Sequence, residues 1–153
     1  MKDSLTKRFL AAGILIYVLL SFTGCNKLAG RYYYRAGEDL YHARNYSEAV
    51  KAFDGAIRNG YQLRESYAMR GLAYYKEGEY DLAIADSNEA LVISPNYAPA
   101  YNSRGLAYYR KGEIDKTIAD MEQVLKYTNE QILREPAAKL LQELKDSQLK
   151  SND

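Results

Sequence analysis

The sequence is poor in the residues that build catalytic, metal and disulfide sites. Its 153 residues include one cysteine, one histidine and no tryptophan. One cysteine cannot form a disulfide within the chain, and no cluster of His, Cys and Asp residues has the spacing of a metal site. No serine is placed to form a nucleophile–base pair with His42, and no glycine-rich phosphate loop occurs. We therefore expect neither enzymatic activity nor a bound cofactor or metal.

An excess of charge of either sign is also missing. The chain has 21 Lys and Arg residues against 20 Asp and Glu residues. Because phosphate backbones are bound by strongly basic surfaces, this balance argues against nucleic acid as a main ligand. No stretch rich in Pro, Gly or Ser divides the chain, and its length suffices for one domain with a real core.

A long hydrophobic run is absent too, although a short one lies near the start. The run comprises 14 uncharged residues, 9–22, and follows Lys2, Lys7 and Arg8. As a helix it would extend about 21 Å, which is less than the ~30 Å hydrocarbon core of a bilayer. A basic head, a short apolar stretch and small residues at its end are typical of a secretory signal peptide.

The end of this run resembles a bacterial lipobox, in which the peptide is cut before a cysteine that receives a lipid. The four residues are Phe22-Thr23-Gly24-Cys25. Thr23, Gly24 and Cys25 match the pattern, whereas Phe22 stands where a lipobox usually has Leu, Val or Ile. The resemblance implies that Cys25 is lipidated, so we expect the protein to be anchored to a membrane.

The lipobox resemblance also implies a location. Residues 1–24 would be removed as a signal peptide, leaving the protein in a bacterial cell envelope. Asn26 after the cysteine favours the outer membrane, facing the periplasm, if the host is Gram-negative. Two alternatives stay open. Cys25 could be a buried structural thiol, or residues 9–22 could remain uncleaved as a signal anchor.

A period of 34 residues dominates the rest of the chain. It separates Gly37 from Gly71 and Gly71 from Gly105. The residues around the last two glycines are nearly the same, Tyr67-Ala-Met-Arg-Gly-Leu-Ala-Tyr-Tyr75 and Tyr101-Asn-Ser-Arg-Gly-Leu-Ala-Tyr-Tyr109. This pattern resembles the tetratricopeptide repeat (TPR) family of helix-turn-helix repeats. The resemblance implies an all-α, right-handed solenoid of three repeats plus a C-terminal capping helix.

Helical periodicity and turn residues predict the element boundaries. A tether at 25–30, at most about 18 Å long, precedes three repeats within 31–129 (about 30–63, 64–97 and 98–131) and a cap and tail at 130–153. The predicted helices are 31–43, 47–59, 64–77, 80–92, 98–111, 114–127 and a seventh ending at about 148. Gly78 and Gly112 are expected to end helices in the left-handed conformation. The cap begins at Pro136 or is kinked there, and its apolar stripe is Leu133, Ala137, Leu140, Leu141 and Leu144.

A possible ion pair also follows the repeat. Arg70 and Arg104 precede repeat glycines, and Asp86 and Asp120 follow sixteen residues later. The first repeat has alanine at both places, so each pair is present or absent as a unit. We predict an Arg–Asp contact within each of these two hairpins, worth ~0–1 kcal/mol if it is partly exposed.

The resemblance implies that the first helix of each pair lines a concave face. Nine of the residues at its ligand-facing positions are predicted to contact a ligand: Tyr34, Tyr41, Leu72, Tyr75, Lys76, Asn102, Leu106, Tyr109 and Arg110. The tyrosines would offer apolar area and hydroxyls, and the cations would add positive charge. A peptide with apolar and acidic residues suits such a groove, although these tyrosines could instead be structural packing.

One ligand class within the family is excluded. Its chaperone-binding members hold a C-terminal carboxylate with Lys, Asn and Arg at five groove positions. Here these positions are occupied by Tyr34, Glu38, Met69, Pro99 and Ser103. The leading hypothesis is a membrane-anchored adaptor for an unidentified protein or peptide in envelope assembly. The alternative is a structural protein that forms homo-oligomers and leaves the groove unused.

Overall fold

The computed structural model describes residues 26–151, with side chains as far as 149, and this part of the chain is all-α. Helix α1 covers the described residues 26–42. The other six helices are α2 (Tyr46–Arg58), α3 (Leu63–Glu77), α4 (Tyr80–Ile93), α5 (Ala98–Arg110), α6 (Ile114–Tyr127) and α7 (Gln131–Ser151). From α2 onward each helix packs on the next, and α3 also packs on α5. The predicted TPR solenoid is confirmed.

The turns inside the three hairpins have one backbone design. Gly78 and Gly112 adopt φ values of 89° and 76°, as predicted. The amide after each glycine donates to the carbonyl five residues earlier, as in Glu79 to Tyr74 (2.9 Å). The same bond in the first hairpin joins Asn45 to Leu40 (2.9 Å), but the left-handed residue there is Arg44, with φ of 63°. The sequence predicted a break between helices 31–43 and 47–59 but not its left-handed residue, because this turn contains no glycine.

The hairpins are held together by small residues at the centre of each helix pair. Ala49, Ala83 and Ala90 are fully buried. A Cβ added to Gly71 would lie 3.1 Å from the carbonyl oxygen of Ala83, so the two helices approach almost backbone to backbone. In the first hairpin the Phe53 ring fills this space, and a Cβ on Gly37 would lie 2.6 Å from its Cε1. A larger residue at either glycine would force the helices apart.

The predicted Arg–Asp contacts are present and bidentate. Arg70 donates through Nε and Nη2 to Asp86, both at 2.8 Å. Arg104 binds Asp120 in the same way, at 2.9 and 2.7 Å. The aspartate side chains are only 8% and 5% exposed, so our estimate for a partly exposed pair was too low. Removing one partner would leave a buried charge, which costs about 3–5 kcal/mol.

Each of these arginines also reaches the preceding hairpin. Arg70 Nη1 donates to Asp54 (3.0 Å), and Arg104 Nη1 donates to Asn88 (2.6 Å). The hydrogen bond with Asp86 is the main reason that the pKa of Arg70 is raised above its usual value. One side chain therefore fixes both the pairing of helices within a repeat and the stacking of one repeat on the next.

One predicted boundary was wrong, and the structure rules out one of the two alternatives for the cap. Residues 26–30 were assigned to a tether, but they are the start of α1. Gly30 is buried, and a Cβ there would lie 2.5 Å from Cβ of Tyr61, so it is a packing glycine rather than a turn residue. At the other end α7 starts at Gln131, in agreement with the predicted cap at 130–153, and continues through Pro136, so the helix does not begin at this proline. Because proline has no amide hydrogen, the helix lacks the hydrogen bond that residue 136 would otherwise donate.

The cap packs as its apolar stripe predicted. Ala137 of α7 is 1% exposed and forms a cluster with Met121 and Val124 of α6. Three leucines of the stripe pack against this cluster: Leu133, Leu140 and Leu141. None of the helices in the described range 26–151 is long and apolar enough to cross a bilayer. The predicted signal peptide, residues 1–24, and the lipidated Cys25 lie outside the described residues.

The turn at Arg44 generates a first prediction. A side chain in the left-handed region costs about 1–2 kcal/mol, whereas glycine there loses about 0.5–1 kcal/mol of backbone entropy. Arg44→Gly should therefore raise the free energy of unfolding by about 0.5–1 kcal/mol, measured by urea denaturation. The matched change Gly112→Arg should lower it by about 1 kcal/mol. Destabilisation by Arg44→Gly would contradict this account of the turn.

A buried hydroxyl generates the second prediction. Ser103 is 1% exposed and its Oγ has no hydrogen-bond partner among the described residues. Ser103→Ala should raise the free energy of unfolding by about 1 kcal/mol, because alanine removes an unsatisfied group and favours the helix. The control is Ser66, also buried, whose Oγ donates to the Tyr61 carbonyl at 2.8 Å. Ser66→Ala should lower stability by about 1 kcal/mol, and equal effects of the two changes would refute the distinction.

Candidate functional site

The clearest candidate site is a cavity of about 370 Å³ where α3, α4 and α5 come together. Its lining contains two tyrosines, two cations, one carboxylate and a turn glycine: Tyr75, Lys76, Glu77, Gly78, Tyr80 and Arg110. We call it the Tyr75–Arg110 pocket. The last turn of α3 supplies Tyr75 and Lys76, and the last residue of α5 supplies Arg110. Adjacent repeats therefore build the pocket jointly.

Aromatic and cationic groups are already organised around this pocket. The rings of Tyr75 and Tyr80 lie 5.9 Å apart. The Arg110 guanidinium lies 5.3 Å from the Tyr80 ring centre, and Lys76 Nζ lies 5.6 Å from the Tyr75 ring centre. A hydrogen bond with the Tyr75 hydroxyl is the main cause of the raised pKa of Arg110, with Tyr80 adding to it. Two cations with exposed side chains are thus held beside two apolar ring faces.

A second tyrosine pair extends this surface into the first repeat. Tyr41 and Tyr46 have ring centres 5.4 Å apart, and they occupy the same repeat positions as Tyr75 and Tyr80. Burial raises the pKa of Tyr41, with smaller contributions from Tyr46 and Tyr75. The two pairs therefore occupy equivalent places in consecutive hairpins. In the third hairpin Tyr109 is 42% exposed and has no such partner in the part of the chain that the structure describes, because Ile114 occupies the position held by Tyr46 and Tyr80 in the first two hairpins.

Tyr34 occupies a different part of the groove. Its ring lies 5.8 Å from the rings of both Phe53 and Tyr61. Burial is the main cause of its strongly raised pKa, followed by the charge of Glu38. Burial is also the main cause of the raised pKa of Tyr97. These contacts make Tyr34 part of the hydrophobic packing as well as a groove residue.

The predicted groove residues therefore fall into two sets. The structure brings Tyr75, Lys76 and Arg110 together in one pocket, with Tyr41 next to it. Leu72, Asn102 and Leu106 are half-buried on α3 and α5 and do not line this pocket. With Tyr34 and Tyr109, they remain predicted ligand contacts.

Sequence reasoning missed the contribution of the second helices. Tyr46 and Tyr80 are not among the predicted groove residues, but each pairs with a groove tyrosine five residues earlier. The repeated Tyr-x₄-Tyr spacing, 41/46 and 75/80, was the available signal. A five-residue spacing does not place two side chains on one helix face. The turn between the helices makes this contact possible.

The positions of the family's carboxylate clamp are used for packing. Met69 packs against the cluster that contains Phe53 and Ala73. Ser103 is buried, and Pro99 occupies the first turn of α5. These residues offer no cation to a terminal carboxylate. Among the described residues no group of three or more His, Cys, Asp or Glu side chains could hold a metal ion.

Comparisons with known families agree with this architecture. A TPR repeat model matches residues 71–112, and a tetratricopeptide repeat model matches residues 98–131. The matched residues cover the third hairpin and most of the second. Human neutrophil cytosol factor 2 is 45% identical over 49 residues, which cover 32% of this chain and 9% of that protein. The chain thus spans less than a tenth of the length of this relative.

Solved TPR structures share the fold at low sequence identity. The Arabidopsis OM64 TPR domain superposes with a TM-score of 0.73 at 21% identity, covering 79% of this chain and 98% of that domain. The yeast Sti1 TPR2B domain in complex with pHsp70 gives 0.72 at 20% identity, covering 78% and 98%. The Yersinia enterocolitica secretion chaperone SycD with a peptide of YopD gives 0.71 at 16% identity, covering 77% and 93%.

The raised tyrosine pKa values generate a third prediction. Because the folded state holds the Tyr34 proton more tightly than the unfolded chain, this contribution to stability is complete below about pH 10 and declines as pH rises further. Tyr34→Phe should make the decline in unfolding free energy above pH 10 shallower, by up to about 1.4 kcal/mol per pH unit. Urea titrations at several alkaline pH values measure this slope. Identical slopes for both proteins would contradict the burial of this hydroxyl.

Proposed function

We propose that this protein is a membrane-anchored adaptor that binds a protein or peptide partner through the concave face of its TPR solenoid. The observation that carries the proposal is the Tyr75–Arg110 pocket, in which tyrosine ring faces and two exposed cationic side chains lie side by side. Rigid aromatic side chains and arginine are the residues that most often supply binding energy at protein interfaces. A ligand segment with an acidic side chain next to an apolar one matches the pocket.

Related folds support a peptide as the ligand class. The structure of yeast Sti1 TPR2B was solved as a complex with pHsp70, and that of Yersinia SycD as a complex with a YopD peptide. The ligand of this chain would differ from a chaperone tail, because the carboxylate-clamp positions hold other residues. Binding rather than catalysis is the proposed role of the whole solenoid.

The anchoring part of the proposal rests on the sequence before the first described helix. A lipid on Cys25 would fix the protein in a bacterial envelope, at the outer membrane if the host is Gram-negative. Each buried methylene contributes about 0.8 kcal/mol, so two or more acyl chains give stable anchoring where one is marginal. Helix α1 is already formed at residue 26. The solenoid would therefore lie close to the bilayer and hold its partner there.

Charge reversal in the pocket tests the adaptor function. The variant Lys76→Glu/Arg110→Glu should lose a partner that co-purifies with the wild type from crosslinked, detergent-solubilised envelopes. The matched control is Lys51→Glu/Lys139→Glu, which makes the same charge change at side chains that are 67% and 79% exposed. We expect the pocket variant to retain less than about a tenth of the partner, since loss of 1.4 kcal/mol is tenfold in affinity.

The controls of this experiment separate the alternatives. Circular dichroism establishes that each variant is folded. A partner retained by the folded pocket variant would move binding to another surface and refute the pocket. Recovery of only the protein itself, with a mass that depends on concentration, would favour the homo-oligomeric structural role. The lipid anchor would be refuted if residues 9–22 stayed uncleaved and Cys25→Ser changed neither membrane retention nor electrophoretic mobility.

A further inference from the structure

One face of α1 is left open by the packing of the solenoid. The first helices of the second and third hairpins, α3 and α5, are each covered on one side by the preceding hairpin, because α3 packs on α2 and α5 packs on α4. On α1 the corresponding side carries Leu28 and Tyr32, which are 71% and 70% exposed. Arg31 and Arg35 are exposed beside them, and the four residues line a shallow cavity of about 310 Å³. We call these four residues the α1 stripe.

The stripe is a single helix face with an unusual composition. Its residues are spaced by three, four and seven positions, which places them side by side over about 10 Å. Residues 26–37 contain three cations, Lys27, Arg31 and Arg35, and three consecutive tyrosines, but no Asp or Glu. Arginine side chains can lay their stems on apolar surface while their charges stay in water, and tyrosine favours the boundary between lipid and water.

We propose that the α1 stripe docks on the surface of an anionic phospholipid bilayer. This inference deepens the proposed function, since it rests on membrane anchoring at Cys25. Leu28 follows Cys25 by only three residues, which span at most about 11 Å. The uncharged run 9–22 ends just before this cysteine. Any anchor at or before Cys25 therefore holds the stripe within reach of lipid headgroups, where its positive charge is complementary to theirs.

The small size of the stripe favours lipid over a second copy of the chain. A stable protein interface buries about 800 Å² on each partner, and four side chains along about 10 Å of helix offer much less. A membrane contact does not need this area, because the anchor already supplies a high local concentration of lipid. Each arginine near an anionic surface then adds about fivefold to binding.

Reconstitution of the full-length protein into vesicles tests the docking. The vesicles contain phosphatidylcholine alone or mixed with phosphatidylglycerol. Flotation measures anchoring, and hydrogen exchange of residues 26–36 measures docking. We expect exchange in this segment to be slowed roughly tenfold by phosphatidylglycerol, and the effect to vanish at about 1 M salt. The variant Arg31→Glu/Arg35→Glu should lose the protection, whereas Lys51→Glu/Lys139→Glu should keep it.

The two readouts distinguish failure of docking from failure of anchoring. Flotation with both vesicle types but unchanged exchange would overturn the docking and leave the anchor. Flotation on anionic vesicles alone, lost in the Arg31→Glu/Arg35→Glu variant, would support the docking and contradict the lipid anchor. The absence of flotation on either vesicle would overturn both. Protection that follows protein concentration rather than lipid charge would assign the stripe to a second copy and overturn the proposal.

Discussion

The structure depends on the close approach of paired helices at the repeat glycines, and in the second and third hairpins an Arg–Asp pair holds this approach in register. Arg70 precedes Gly71, whose missing side chain lets α3 approach the Ala83 carbonyl of α4. At this separation the guanidinium reaches Asp86 with two bonds of 2.8 Å. Bidentate geometry is strong but tolerates little displacement. Small side chains and the ion pair are therefore one device, since either loses its value if the helices move apart.

The same arginines also join each repeat to the one before it, and a similar contact from α7 ends the array. Arg70 and Arg104 each reach one residue of the preceding hairpin, Asp54 and Asn88. Asp54, Asn88 and Glu122 occupy the same position in the three repeats. Lys145 of α7 binds Glu122 at 2.7 Å. The cap therefore supplies the cation that a fourth repeat would have carried. In a solenoid, stability is a sum of repeat and interface terms, so this contact closes the last interface.

The parts of the fold that are encoded locally could be predicted from the sequence, whereas the parts that depend on distant contacts could not. The turns at Gly78 and Gly112 could be predicted because glycine adopts positive φ without a steric penalty. Arg44 makes the same turn without that signal, and Gly30 was misread because only its contact with Tyr61 reveals its role. The Arg–Asp pairs were found through the repeat. The pocket was found in part, since the contribution of Tyr80 requires knowledge of how α4 folds back on α3.

The two proposed surfaces of the protein are related by the geometry of α1. At 3.6 residues per turn, Tyr34 and Tyr41 lie roughly 120° around the helix from the centre of the α1 stripe. With the stripe on the bilayer, the concave face opens sideways, neither pressed on the lipid nor pointing straight away from it. A partner would then meet the groove while remaining close to the membrane. The open end of the first repeat and the curvature of the array would together set the orientation in which the partner is held.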